Sequence, residues 1–148
     1  MIGNIMHVGI TVTDLDRSIA FYRDVLGLQF AGQLLMEGPE TEKLFRKPDC
    51  RAKVAYLHGG KPPMVELIQF VPSDVRQVPG DLFMTSISEL CLETDDIEET
   101  CSRLRQAGVE LLSAPQPFDF TESGFGKSKA VYFRDPDGVI LELMETCS

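Results

Sequence analysis

The sequence predicts an α+β fold in which two βαβββ modules form a curved mixed sheet. The first observation is a near-repeat: Val-Glu-Leu-Ile at 65–68 and Leu-Glu-Leu-Met at 141–144 each close one half of the chain. The second is that each half opens with an alternating strand pattern, and the third is that a capped helix follows in both halves. We expect a single domain over 1–148, with module one at 1–70, a linker at 71–86 and module two at 87–148.

Module one opens with apolar residues that alternate with His7, Gly9 and Thr11, as in a strand with one face on the core. Asp14 is a typical N-cap, apolar residues then recur at helical spacing, and Gly27 ends the helix. The sequence predicts a short helix at 40–46 and strands at 5–13, 28–36, 51–57 and 64–70.

Module two repeats this order. Asp95 and Asp96 precede a helical pattern with Ile97, Cys101 and Leu104 on its inner face, and Gly108 ends it. A loop rich in Pro, Gly and Phe is expected at 114–127. The sequence predicts strands at 87–94, 109–113, 128–133 and 139–145.

Composition excludes several classes of partner. The net charge of −9 and the pI of about 4.6 disfavour binding to nucleic acid or to an anionic lipid surface. No apolar run approaches the length of a membrane span, and the first residues lack the pattern of a signal peptide. The four cysteines show no CxxC spacing, which is typical of reduced thiols. We therefore expect a cytoplasmic protein without nucleic-acid or membrane partners.

Four charged or ionisable residues share one predicted place, the face of a first or last strand turned away from the helix: His7, Glu66, Glu89 and Glu142. A carboxylate between apolar strand neighbours must be paired or bind something, because burying an unpaired charge costs several kcal/mol. If the two sheets curve around a common cleft, one imidazole and three carboxylates meet there. Such a set suits an octahedral divalent ion with two positions open, and not structural zinc.

Each of these residues alone also fits a structural role. His7 fits a hydrogen-bonded strand histidine, and Glu66 or Glu142 fits a salt-bridged strand residue. Glu89 lies near a strand start, where a glutamate is often simply solvated. The metal site is therefore predicted from the conjunction of the four.

The chain resembles the vicinal-oxygen-chelate superfamily, which includes glyoxalase I, methylmalonyl-CoA epimerase, extradiol dioxygenases and bleomycin-resistance proteins. The resemblance lies in the segments 7–14, 18–22 and 26–28, and most specifically in Tyr-Phe-Arg-Asp-Pro-Asp-Gly at 132–138 followed by Leu-Glu-Leu at 141–143. It implies paired βαβββ modules with a glyoxalase-like fold, a bound metal and often a homodimer. The isomerase and epimerase members use four ligands, and this chain departs from them at Glu89, where they usually have histidine.

The resemblance implies proton transfer beside a carbonyl of a small-molecule substrate. A divalent metal (Ni, Co, Mn, Fe, Mg or Zn) would stabilise the developing negative charge, and Glu142 would be the catalytic base, with Glu66 as the symmetric alternative. The leading function is a glyoxalase I-like isomerase or lyase that acts on a thiol adduct of a 2-oxoaldehyde. The alternatives are an epimerase of a CoA ester or sugar-like hydroxyketone, and a non-catalytic protein that binds an antibiotic or metabolite.

The sequence leaves the roles of two further groups of residues undecided. Aromatic and methionine side chains in predicted loops or the linker fit either a substrate wall or a cap on the core: Phe45, Phe83, Met84, Phe118, Phe120 and Phe125. A basic cluster in this acidic chain fits either an anionic group of a substrate or a solvated face: Lys43, Arg46, Lys47, Arg51 and Lys53.

Overall fold

The computed structural model describes residues 1–72 and 74–147. The chain divides into two compact units, which we call the first unit (Met1–Gln77) and the second unit (Val78–Ser148). Each unit contains one four-stranded sheet and a helix packed on it.

The first unit begins with a strand and ends with the strand that pairs with it in parallel. Its elements are β1 (His7–Thr11), α1 (Leu15–Ala20), a π-helical turn (Phe21–Val25), β2 (Gln29–Met36), α2 (Pro39–Phe45), β3 (Arg51–His58) and β4 (Met64–Val71). The strand order is β1-β4-β3-β2, parallel between β1 and β4 and antiparallel elsewhere.

The second unit follows the same plan. Its elements are β5 (Leu90–Glu93), α3 (Ile97–Gln106), β6 (Gln116–Phe120), a 3₁₀ turn (Thr121–Ser123), β7 (Gly126–Arg134) and β8 (Ile140–Cys147). The order β5-β8-β7-β6 places the first and last strands side by side in parallel, as in the first unit. The predicted α+β fold of two βαβββ modules is confirmed.

The main helix of each unit begins in the same way. The side chains of Asp14 and Asp96 accept hydrogen bonds from the backbone N–H three residues later, at 3.0 and 2.9 Å. A side chain from the last strand accepts the first N–H of each helix: Gln69 in the first unit, at 2.8 Å, and Glu145 in the second, at 2.7 Å. Each helix start is therefore tied to the end of its own sheet.

The two helices differ in length by one residue before their terminal glycines. Gly27 and Gly108 have φ of 80° and 79°, the left-handed conformation that glycine adopts without strain. The first helix contains the π-helical turn, in which the N–H of Leu26 bonds to the carbonyl of Phe21. A π turn accommodates one inserted residue in an otherwise α-helical segment.

Two of the strands predicted for the second unit, 109–113 and 87–94, differ from the structure. The segment 109–113 is not a strand, since its only β-pairing among the described residues is a bridge from Leu111 to Phe133. The fourth strand is β6, inside the predicted loop at 114–127. Proline signals suggested a loop, but β6 is an edge strand, where Pro117 is tolerated. The strand predicted at 87–94 is shorter, so that Glu89 lies just before β5.

Each core lies between the helix and one face of its sheet. In β4, Val65 and Leu67 are buried and flank the half-buried Glu66, which lies on the other face. In β8, Leu141 and Leu143 flank Glu142 in the same way. No helix of the described residues is long and apolar enough to cross a membrane.

Part of the predicted linker packs tightly on the second unit. The N–H of Gly80 bonds to the carbonyl of Gly138 at 2.9 Å, and the Arg134 guanidinium donates to the carbonyls of both glycines. A Cβ added at Gly80 would lie 2.9 Å from the side chain of Ile140. Only glycine therefore fits this approach to the β7–β8 turn.

Candidate active site

In the first unit, three side chains gather on the sheet face opposite the helix. Glu66 pairs with Gly9 across β1–β4 and with Tyr56 across β3–β4. The Tyr56 hydroxyl donates to Glu66 Oε2 at 2.5 Å, and His7 Nε2 lies 3.5 Å from the same oxygen. The imidazole meets the Tyr56 ring edge-on, with ring centroids 5.8 Å apart. The structure thus brings the predicted ligands His7 and Glu66 together.

Hydrogen bonding and exposure distinguish the members of this group. The hydrogen bond to Glu66, followed by burial and the charge of that carboxylate, raises the pKa of Tyr56 to about 12. The Tyr56 phenol therefore keeps its proton and stays a donor at neutral pH. The side chain of Glu66 is 13% exposed and that of His7 is 39% exposed. The imidazole is therefore the more accessible of the two proposed metal ligands.

The second unit places Glu142 in the same position on its own sheet. Glu142 pairs with Cys91 across β5–β8 and with Tyr132 across β7–β8. Burial raises the pKa of the Glu142 carboxyl, a hydrogen bond from the Cys91 thiol opposes the rise, and the charge of Glu89 adds to it. The pKa of Cys91 itself rises to about 12, through partial burial and then the charge of Glu142. This thiol therefore remains a protonated, weak donor.

Glu89 acts on this group through its charge. It contributes to the raised pKa of Glu142, of Cys91 and of Tyr132, although burial is the largest cause for all three. Glu89 is half-buried. The second unit thus brings Glu89 and Glu142 within electrostatic reach of one another.

The donor chemistry of each unit fits a divalent ion. His7 and Glu66 supply one nitrogen and carboxylate oxygens, and Glu89 and Glu142 supply oxygens alone, which suits magnesium, manganese, nickel or cobalt better than a thiolate-bound structural zinc. Within residues 1–72 and 74–147, no group of three or more His, Cys, Asp or Glu side chains is arranged as a metal site. Each unit by itself therefore supplies a pair of the four predicted ligands.

A family model for the glyoxalase/bleomycin resistance protein/dioxygenase superfamily matches residues 4–143. The chain belongs to this superfamily. A probable lactoylglutathione lyase of Synechocystis is 28% identical over 150 residues, which cover 97% of this chain and 96% of that relative. A 2-epi-5-epi-valiolone epimerase of an Actinomyces species is 30% identical over 143 residues, which cover 93% of this chain and 76% of the relative.

The fold comparison agrees with this membership. The crystal structure of a glyoxalase family protein from Bacillus cereus aligns with a TM-score of 0.87 at 20% identity, over all of this chain and 97% of the other. At that identity the likeness shows the fold alone. The resemblance to the superfamily that the motifs indicated is confirmed, and the activity within the superfamily is a separate question.

Sequence reasoning missed three cross-strand neighbours of the proposed ligands. Tyr56 and Tyr132 lie opposite the two last-strand glutamates, and Cys91 takes the place that Gly9 has in the first unit. A signal was present, because Tyr56 precedes Glu66 by the same spacing that separates Tyr132 from Glu142. In the structure both hairpins are centred midway between the tyrosine and the glutamate, so that this spacing gives both tyrosines the same kind of cross-strand partner.

The basic cluster is interleaved with acidic residues. The Lys47 ammonium pairs with Asp74. Arg51 lines a cavity of about 630 Å³ in the first unit whose other charged residues are acidic: Glu37, Glu42 and Asp49. This mixed charge favours a solvated face over a site for an anionic substrate group.

The aromatic residues fall into different environments. Phe45 packs edge-on against Phe70, with centroids 5.0 Å apart, inside the first unit. Phe118 and Phe120 lie on β6 and not in a loop, and their exposed rings stack with planes 13° apart. Phe125 is exposed. Phe83 and Met84 are exposed as well, so that a role of these side chains as a substrate wall stays a prediction.

Proposed function

We propose that this protein is a metal-dependent enzyme that moves a proton at the carbon beside a carbonyl group. Its proposed ligands are His7, Glu66, Glu89 and Glu142, and its proposed substrate is a thiol adduct of a 2-oxoaldehyde, as for a lactoylglutathione lyase. One observation carries the proposal. In each unit, the last strand presents a glutamate on the polar sheet face, between a tyrosine and a first-strand neighbour.

When bound, the metal supplies a positive charge that stabilises the negative charge developing on the substrate oxygen. The residues of the chain do the rest. Glu142 takes the proton from the carbon next to the carbonyl and returns it to the neighbouring carbon. The partial burial of Glu142 supports this role, because removal from water makes a carboxylate a stronger base. His7 and Glu66, on the sheet of the first unit, would bind the metal.

A second candidate is supported by the relative that is 30% identical and is named as an epimerase. An epimerase of a hydroxyketone or CoA ester uses the same proton abstraction, but the proton returns to the same carbon with inverted configuration. The ligands and the base would be unchanged. The two candidates differ in where the proton arrives and in which substrate enters.

The experiment is a substrate and metal screen in D₂O. The purified protein, stripped and then loaded with Ni, Co, Mn, Fe, Mg or Zn, is given the hemithioacetal of glutathione and methylglyoxal, and separately a panel of hydroxyketones and CoA esters. Thioester formation supports the lyase, and deuterium at an inverted carbon supports the epimerase. Glu142→Gln is the control for each signal. Tight binding without deuterium exchange or turnover, unaffected by a chelator, contradicts both and selects a non-catalytic binding protein.

The assembly and location are proposed on the same family basis. We propose a cytoplasmic homodimer, and the four cysteines being free thiols is consistent with that compartment. Light scattering coupled to size exclusion measures the mass of the assembly. A mass equal to the chain mass of 16.5 kDa would contradict the dimer.

A further inference from the structure

The carboxylate of Glu66 has a hydrogen-bond donor on one oxygen and the backbone of Gly9 beside the other. Its Oε2 accepts a bond from the Tyr56 hydroxyl at 2.5 Å, a length typical of a charge-assisted O–H···O⁻ bond. Its Oε1 lies over Gly9, where an added Cβ would be only 3.4 Å away. An added Cβ at position 9 would make ordinary van der Waals contact with Oε1, so that the orientation of the carboxylate is set by the bond from Tyr56.

Tyr56 is itself well placed to act as a fixed support. It lies directly opposite Glu66 in the antiparallel β3–β4 pair, so that the backbone sets the separation of the two side chains. The ring of His7 packs against its ring at 5.8 Å. A tyrosine has few rotatable bonds, and a packed one offers its hydroxyl at a defined point.

Glu142 has the same strand position with different neighbours. Cys91 stands where the first unit has Gly9, and its thiol is the donor group next to Glu142 across β5–β8. A thiol is a weak donor in comparison with a phenol. Two glutamates that the fold treats as equivalent are therefore held with different strength.

We propose that Tyr56 is a positioning residue, which fixes Glu66 as the permanent carboxylate ligand of the metal and thereby leaves the proton transfer to Glu142. The metal and proton roles in this inference rest on the proposed function. The division of labour between the two glutamates follows from the hydrogen bond on one of them.

The first test uses Co²⁺ alone and the full-length protein. Tyr56→Phe removes the hydroxyl and keeps the ring, and Tyr132→Phe is the matched control at the equivalent strand position. Loss of a residue that orients a metal ligand typically lowers metal affinity about 10- to 100-fold. We expect that loss in Tyr56→Phe, with a changed Co²⁺ absorption spectrum, and a change within about twofold in Tyr132→Phe. Circular dichroism verifies that both variants fold.

A double-mutant comparison separates positioning from a general structural effect. If Tyr56 acts through Glu66, Tyr56→Phe has no further effect on Co²⁺ affinity in a Glu66→Gln background, within about twofold. In a Glu142→Gln background it retains its full effect. Equal effects in the two backgrounds, or equal effects of Tyr56→Phe and Tyr132→Phe, overturn the inference.

Measuring deuterium exchange beside Co²⁺ binding separates failure of this inference from failure of the proposed function. Glu142→Gln is expected to abolish deuterium exchange while Co²⁺ still binds, and Glu66→Gln is expected to bind Co²⁺ measurably but more weakly. The reverse pattern overturns the inference and leaves a proton-transfer enzyme. Coupling of Tyr56 to Glu66 in a protein that exchanges no substrate proton supports the positioning role and overturns the proposed function. Absence of Co²⁺ binding by the unmodified protein overturns both.

Discussion

The two units share one frame and differ in what surrounds the central glutamate. In the first unit Glu66 has Gly9 and a hydrogen-bonded tyrosine as neighbours, whereas in the second Glu142 has Cys91 and the charge of Glu89. The strand order, the helix cap and the cross-strand tyrosine are the same. The shared frame thus places one carboxylate in each unit, and the neighbours differ. A tyrosine hydroxyl bonds to Glu66, whereas burial and the charge of Glu89 raise the pKa of Glu142.

The frame itself depends on a few polar contacts that recur in both units. Gln69 and Glu145 each lie three residues after the central glutamate and cap the helix of their own unit. The central glutamate lies on the opposite sheet face from the apolar residues that flank it. The end of each last strand therefore has two separate duties, to anchor the helix and to present a carboxylate.

The largest expected effect distinguishes the two glutamates by chemistry. Glu142→Gln should fold and bind metal but reduce kcat by several orders of magnitude, because it removes the proposed base. Glu66→Gln should reduce the bound metal instead. Turnover assays and elemental analysis on the same preparations measure both quantities. Near-full activity of Glu142→Gln would remove that residue from the mechanism.

A smaller effect is expected at the first-strand donors. His7→Ala removes the only proposed nitrogen ligand, and we expect metal affinity to fall by at least the factor of about 10 to 100 that loss of an outer-shell partner costs. The measurement is metal stoichiometry after dialysis against a defined free concentration. His58→Ala, which removes the other histidine of the chain, is the control. An unchanged stoichiometry in His7→Ala would count against the metal site.

The helices offer a matched pair for stability. The hydroxyl of Ser18 in α1 is buried and has no hydrogen-bond partner among the described residues, whereas Thr100 in α3 bonds to Thr94 at 2.8 Å. Thr100→Val should lower the free energy of unfolding by about 1 kcal/mol, since it breaks that bond. Ser18→Ala should be neutral or slightly stabilising. Urea unfolding measures both, and an equal loss in the two variants would contradict the comparison.

The smallest effect is a pH dependence of the metal-free protein. The pKa of Glu142 is raised in the folded state, so ionising it disfavours folding, and this cost is present above the raised pKa and absent below the unfolded value. Glu142→Gln should therefore raise the Tm at neutral pH, by a few degrees at most, and the gain should vanish in acid. Thermal melts across pH 3 to 8 measure it, and a gain that grows in acid would have the wrong sign.

The fold was accessible from local patterns, and the site only in part. Alternation around His7, the caps at Asp14 and Asp96 and the terminal glycines are short-range signals, and all lie where expected. The edge strand β6 was missed because Pro117 within it and Pro115 before it carry the signal of a loop, and proline tolerance depends on the strand's place in the sheet.

The tyrosines were missed for a different reason. Tyr56 and Tyr132 resemble ordinary strand aromatics until the register of the hairpin is known, since only the register shows which residue faces each glutamate. The spacing of the cysteines indicates the redox state of Cys91 but does not show that it lies beside Glu142. Long-range pairing of β1 with β4 and of β5 with β8 is what brings these side chains together.

The docking of Gly80 on the β7–β8 turn has a practical consequence for dividing the gene. A fragment that starts at 87 would discard the backbone bond to Gly138 and leave the Arg134 guanidinium without one of its two acceptors. A cut at 77–78 keeps Gly80 in the same fragment as its partners Arg134 and Gly138. Split-protein reporters or permuted versions of this chain should therefore be opened at 77–78, which keeps Gly80 together with Gly138.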